Sequence, residues 1–365
     1  MKNLFLAKAG HPYLARFKWL LLSLIFLISC QKENSPPPVV SAASSSSSIS
    51  SNSSSQTIVN SRTLKTIYLS TAPINLYNKS NLTIRGDSIN GGTSPCIQLV
   101  NCTNIHITHC RLQNTTSFGI LISNCSNVLV DSTDITKVGT GILAVGCPNG
   151  GIRVQYNQIL NTQGPFPQGA GIQFSNVGGT YNRIQYNKIQ NLPGQSNPED
   201  AISLYKSNGS PTDLIYVIGN WISGGGPSTT GSGITLGDGG GSNECAEQNI
   251  VINSGNMGMQ VAGGTNMQIL NNKIYSSPFP WSHQGLGCGN YSGLPSSNIT
   301  ISGNQVKWYS GKASDLSYYP GSTSIEKDAS YQKGTPMPTG WSTNVLGAYI
   351  SATLLPNSIV NFNLF

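Results

Sequence analysis

The chain has 365 residues, with 41 Gly, 20 Pro, 38% hydrophobic and only 9% charged side chains. That is apolar enough for a core and too poor in charge for a solvated disordered chain, while Gly and Pro at this density argue against long helices. The formal net charge is +7, and beyond the N-terminus no run reaches the ~18 apolar residues of a membrane span, which excludes a polytopic membrane protein.

Residues 1–29 read as an address. Lys2, Lys8, Arg16 and Lys18 precede a ten-residue apolar run from Trp19 to Ile28, and Ser29-Cys30 closes it. This resembles a bacterial lipoprotein signal, which implies export, lipidation of Cys30 and anchoring at the outer membrane or cell surface. Without the segment, 16 basic side chains face 13 acidic ones, so the net charge falls to +3. Nucleic acid thereby loses its electrostatic argument as a partner.

Residues 30–56 read as a tether. Pro36-Pro37-Pro38 is stiff, and eleven of the sixteen residues from Ser41 to Gln56 are Ser, so nothing here can bury a core. Such a chain would hold a domain on the order of 30 Å from the lipid.

From residue 57 to about 310 the sequence repeats. Cys96, Gly119, Gly141, Gly171, Ala201, Gly233, Gly258 and Gly285 each open a small-apolar-x-apolar segment, at separations of 23, 22, 30, 30, 32, 25 and 27 residues. A second series follows, in which Asn157, Asn187, Asn220, Asn249, Asn272 and Asn304 each stand two residues before Ile or Val. Two short alternating strands per repeat, with Asn and Gly at the bends, predict a coil of parallel strands with aliphatic residues inside and an amide ladder at a corner. Cys102, Cys125 and Cys147 recur at 23 and 22 residues, a repeat period unlike the CxxC spacing of metal sites, and read as a stacked ladder of free thiols or small buried residues, with a disulfide between adjacent rungs the alternative in an exported protein.

With these motifs the chain resembles the right-handed parallel β-helix proteins of exported bacterial origin. Gln163-Gly164-Pro165-Phe166-Pro167 and Pro198 to Lys206 would be the fingerprint of β-helix lipoproteins from polysaccharide-degrading bacteria. The resemblance implies an all-β solenoid of about nine rungs. It also implies a polysaccharide as partner, because many such proteins are lyases, glycosidases or epimerases.

Extra residues in the longer repeats fall at one phase: 162–170, 192–200, 224–232 and 276–284. In a solenoid they stack on one edge and wall a groove whose floor would present Gln173, Ser203, Tyr205, Thr235 and Gln260. Phe166 and Trp281 add aromatic faces. Amides, hydroxyls and aromatic rings along an extended groove suit glycan chains, whose sugars have apolar C–H faces and polar rims.

Ionisable residues near this groove are few: Glu199, Asp200, Lys206, Asp238 and His283. Lys206 and Asp238 each lie five residues after a repeat start and should share a phase on adjacent rungs. Lys206 would serve as base or charge neutraliser for a uronate, with Asp200 or Glu199 moving the other proton; alternatively Asp200 and Asp238 would hydrolyse a glycosidic bond. A salt bridge between Lys206 and Asp238 is the structural alternative. His283 could act as acid or base, or simply face solvent. Asp238 to Glu244 could fold around Ca²⁺, although its spacing matches no calcium loop, so the expectation is no metal and no cofactor.

Residues 311–365 leave the repeat and are expected to cap the last rung of a monomeric coil, because an open stack would expose strand edges. The sequence supports two functions: a carbohydrate-active enzyme cleaving an extracellular polysaccharide as lyase or glycosidase, and a non-catalytic glycan-binding or structural surface protein.

Overall fold

The computed structural model describes residues 69–164, 169–293, 295–311, 318–320, 328–332 and 334–347; Cys30, the tether and Phe166 lie outside them. Here the chain winds as a right-handed parallel β-helix with three strands per turn, one more than the two repeats legible in the sequence. The first sheet includes Ile97–Val100, Ile172–Ser175, Ile202–Gly209 and Met257–Val261. The third includes Gln158–Leu160, Lys188–Gln190, Trp221–Ser223 and Lys273–Ser276, and these two carry the repeats. Between them runs a second sheet, with Ser126–Asp131, Ile152–Gln155, Ile215–Ile218 and Ser296–Ser302. Its inward stack of Val154, Ile184, Val217, Ala246, Ile269 and Ile301 has no fixed residue beside it to mark the period.

Nine strands stack in the second sheet, from Ser80–Arg85 to Ser296–Ser302, matching the expected number of rungs. The first sheet continues to Ala329–Gln332 and the third to Val345–Leu346. Every rung sends aliphatics inward; Ile142, Ile172, Ile202, Ile234, Met259 and Leu286 form one such column and are fully buried. The repeat glycines lie beside that column. A Cβ on Gly141 would sit 2.2 Å from the Gly171 carbonyl oxygen, and on Gly258 2.3 Å from that of Gly285.

The corner between the second and third sheets is the amide ladder. Asn187 Oδ1 accepts the Asn157 N–H at 3.0 Å, Asn220 Oδ1 that of Asn187 at 2.9 Å, and Asn249 Oδ1 that of Asn220 at 2.9 Å. Each Nδ2 returns to a carbonyl of the preceding rung, as Asn220 does to Ile184 at 2.9 Å. Backbone groups that the turn strips from the sheets are thus paired inside the coil. On the corner between the first and second sheets, thiols play the acceptor: the Cys102 N–H points at Cys125 Sγ (3.2 Å) and the Cys125 N–H at Cys147 Sγ (3.3 Å). All seven described cysteines are free and buried.

Corner residues next to these ladders adopt left-handed backbone, and Asn supplies most of them: Asn101, Asn124 and Asn176 in one stack, Asn81, Asn104 and Asn127 in another. Asn and Gly tolerate that conformation best.

Candidate functional site

The four insertions pack on one edge of the first sheet. The Asn197 N–H donates to the Thr162 carbonyl at 2.9 Å, and the Glu199 N–H to that of Gly169 at 3.2 Å. A Cβ on Gly231 would lie 1.7 Å from the Glu199 carbonyl oxygen, so the second and third insertions touch backbone to backbone. The third meets the fourth through Trp281, whose ring occupies the space of a Gly226 Cβ and stacks on Phe279 at 5.2 Å. Trp281 therefore ties insertions together as well as lining the edge.

The outward column of the first sheet runs Gln173, Ser203, Thr235, Gln260. Gln173 is half-buried, whereas the other three are covered by the insertions and by one another. Gln260 Nε2 donates to Ser232 Oγ at 2.7 Å and to Thr235 Oγ1 at 3.2 Å.

Asp200 ends the second insertion and turns onto this column. Its Oδ1 accepts the Ser232 N–H at 2.7 Å and the Thr235 hydroxyl at 3.1 Å. Burial, then the charges of Asp238 and Glu199, hold its carboxyl well above the usual aspartate value. Glu199 is half-buried, with Ser228 and Thr230 hydroxyls donating to its two oxygens; burial raises it despite those bonds. Asp238 is half-buried, takes a long hydrogen bond from Ser203 Oγ (3.5 Å), and is raised first by burial and further by Glu199, with Lys206 pulling it down. Three carboxyls from two adjacent rungs therefore share one field.

Lys206 does not share the phase of Asp238. In the pairing of Ile202–Gly209 with Ser232–Glu247, Ser203 faces Thr235 but Tyr205 faces Asp238. The extra residue is accommodated at Gly237, whose φ of +63° only Gly adopts without strain. Lys206 occupies the left-handed corner stack of Asn124 and Asn176, is exposed, and lays its Nζ 5.1 Å from the centre of the Tyr205 ring. The ion pairs within 4.0 Å among the described residues are His106–Asp131 and Arg183–Asp213, so the alternative of a Lys206–Asp238 salt bridge is not formed.

His283 lies near the end of the fourth insertion, half-buried, with its backbone N–H donating to the Asn256 carbonyl at 2.7 Å. It sits two rungs beyond Asp238, about 10 Å along the coil at ~4.8 Å per rung.

A further carboxyl, read from the sequence only as the end of a possible Ca²⁺ loop, lies beside this site. Glu244 stacks between Ile215 and Met267 in the second sheet and is fully buried. Its Oε2 accepts the Gly237 N–H at 2.8 Å, while Oε1 is buried without a partner. Burial keeps it well above the usual glutamate value. Because Glu244 turns into the coil, it and Asp238 do not converge on an external cation, and among the described residues no group of three His, Cys, Asp or Glu could hold a metal. A glutamate in an apolar column has no sequence signature.

Among known proteins, residues 33–159 match the family model described as "Right handed beta helix region". No curated protein matches. Two solved structures resemble the chain in part. The catalytic unit of the thermostable GH87 alpha-1,3-glucanase from Streptomyces thermodiastaticus strain HF3-3 has 14% identity and a TM-score of 0.41, over 63% of this chain and 50% of that one. PfbA, a surface adhesin of Streptococcus pneumoniae, has 14% identity and a TM-score of 0.44, over 69% of this chain and 65% of that one. This chain thus spans half of the glucanase unit and about two thirds of the adhesin. The stacked sheets, together with the match over residues 33–159, make the fold of the chain a right-handed parallel β-helix.

Proposed function

We propose that the protein hydrolyses a glycosidic bond of a polysaccharide lying along the insertion-walled edge, with Asp200 as general acid and Asp238 as the ionised partner. The observation that carries this reading is the shared field of Asp200, Asp238 and Glu199. Two carboxyls whose surroundings separate their proton affinities are what acid–base cleavage of an acetal requires. Asp200, buried and flanked by two other carboxyls, is the one of the pair that holds its proton more strongly. Its hydrogen bonds from Ser232 and Thr235 both fall on Oδ1, which leaves Oδ2 to carry that proton toward a leaving oxygen. Asp238, nearer to solvent and to Lys206, is the group that ionises first. Lys206 tunes Asp238 by its charge; exposed at a corner, it is a poor candidate for the base of a lyase.

Gln173 and the loop aromatics would hold the sugar, and the protein would work outside the cell, tethered through Cys30, with residues 311–365 closing the end of the coil. Incubation of the chain from residue 31 onward with neutral and uronate-containing polysaccharides tests this. New reducing ends without the absorbance of unsaturated ends are expected. Unsaturated products would make it a lyase, and binding without any cleavage would make it a glycan-binding protein.

A further inference from the structure

Away from the insertion edge, three tyrosines occupy left-handed backbone: Tyr156 (φ 55°), Tyr181 (φ 59°) and Tyr186 (φ 55°). An aromatic side chain is disfavoured there, and the equivalent places on other rungs mostly hold small or amide residues, with His109 in the stack of Tyr156 an exception. Tyr181 aligns with Asn127 and Gly151; Tyr156 and Tyr186 align with Gly219, Gln248 and Asn271. Strained backbone that persists where the repeat offers an easier residue points to use of the side chain.

The three rings frame one surface, the outer face of the strands Ile152–Gln155 and Arg183–Gln185. Tyr156 and Tyr186 stack at its far corner with centres 5.3 Å apart, Tyr156 being 40% exposed. Beside them Gln185 Nε2 donates to Gln155 Oε1 at 2.8 Å. At the near corner Tyr181 is 69% exposed and borders a shallow open cavity lined also by Asn127, Asn149, Thr180 and Arg153. The two basic residues of the face differ. Arg183 is committed to Asp213, to the Asn182 and Leu214 carbonyls, and to the Tyr216 ring. Arg153 has only a 3.4 Å contact to the Asn127 amide oxygen and no carboxylate in ion-pair reach.

From these observations we infer a second binding site, for an acidic oligosaccharide of about three sugars, running along the strands from Tyr181 past Arg153 to the Tyr156–Tyr186 pair. The five residue steps from Tyr181 to Tyr186 span about 16 Å of extended chain, enough for roughly three sugars. Sugar C–H faces would rest on the tyrosine rings at either end, the Asn127, Asn149 and Gln155 amides would meet hydroxyls, and Arg153 would pair with a carboxylate or sulfate. The site is separate from the carboxyl cluster, whose charge would repel such a ligand, and does not rest on the hydrolase reading. It would hold an acidic chain on the protein without cutting it.

Affinity electrophoresis through gels containing polygalacturonate, dextran sulfate or neutral amylose tests this. The wild-type chain should be retarded by both anionic gels and pass freely through amylose. Tyr181→Asn and Tyr156→Asn/Tyr186→Asn install the residue other rungs use there, so they should fold at least as well as wild type. Each should weaken retardation about three- to tenfold, and Arg153→Gln should do so by a similar factor that disappears at high salt. Asp238→Asn, in the other site, should be retarded as wild type whether or not it abolishes cleavage. The inference is overturned if wild type passes freely through both anionic gels, if amylose retards it equally, or if the tyrosine and Arg153 variants behave as wild type.

Discussion

Glu244 and Gly237 meet across the wall of the coil: from a fully buried position, Glu244 Oε2 accepts the Gly237 N–H at 2.8 Å, so an interior carboxyl holds the turn that presents Asp238. Glu244→Ala would leave that N–H unpaired and a void beside Met267, and should lower stability by about 2–4 kcal/mol. Glu244→Gln keeps an acceptor and should lie within about 1 kcal/mol of wild type. Urea unfolding followed by circular dichroism distinguishes the two; equal losses would mean that the site requires the carboxyl itself, and not the volume or the acceptor that Gln retains.

Four carboxyls at this place give folding a pH dependence of definite sign. Glu199, Asp200, Asp238 and Glu244 are all raised above ordinary values of 4.5 for glutamate and 3.8 for aspartate. Below those values both folded and unfolded chains are protonated. Above them the unfolded chain gives up its protons first, so stability falls as pH rises toward the folded-state values. His109, lowered mainly by burial and next by Arg85, acts oppositely below about pH 6.5, but as a single group. The melting temperature should be higher at pH 5 than at pH 8, with a smaller difference in Glu244→Gln; a rise between pH 5 and 8 would contradict the assignment.

For cleavage, Asp200→Asn and Asp238→Asn should each reduce turnover about 10²- to 10⁴-fold, the usual range for one proton-transferring group. Lys206→Ala should cost less than about tenfold and move the acidic limb of the pH–rate profile upward, because the positive charge that lowers Asp238 is gone. Reducing-end assays across pH 4 to 8 read both effects. A Lys206→Ala loss as large as that of Asp238→Asn would return Lys206 to the chemistry itself.

The amide ladder makes a graded prediction. Asn220 accepts from Asn187 and donates to the Ile184 carbonyl and to Asn249, all inside the coil. Asn220→Ala strands several buried polar groups at once and should cost about 2–4 kcal/mol. Asn344, at the end of the ladder and only half-buried, should cost about half as much. Chemical denaturation of the two variants in parallel checks the order.

Thiol chemistry offers a test that needs no ligand. Cys125, Cys245 and Cys288 are pushed up to about 12, chiefly by burial, and all seven described cysteines are buried. In the chain from residue 31 onward, a disulfide-exchange reagent at pH 8 should find no reactive thiol in the native protein and seven after unfolding. Fast labelling of one or two in the native state would show that the corner ladders open.

Small residues at Gly119, Gly141 and Gly171, and asparagines at Asn157, Asn187 and Asn220, repeat because each makes the same contact with its neighbour one rung away. A parallel coil, its inward columns, its amide corner and the edge where insertions gather were therefore legible in the order of residues alone. The second sheet was not, because its columns need only be apolar and nothing fixes the residues beside them. The carboxyl cluster was legible only in part. Asp200 and Asp238 could be placed near each other by counting, but counting from the repeat start assumes an unbroken strand. One added residue at Gly237 moved Asp238 opposite Tyr205 and left Lys206 at the corner. What lies opposite what is decided by two one-residue shifts in this pairing, one between Ser203 and Tyr205 and one between Tyr205 and Ser207, and Glu244 lies beyond both. The cost of each shift depends on the neighbouring rung, and so only the tertiary structure could determine them.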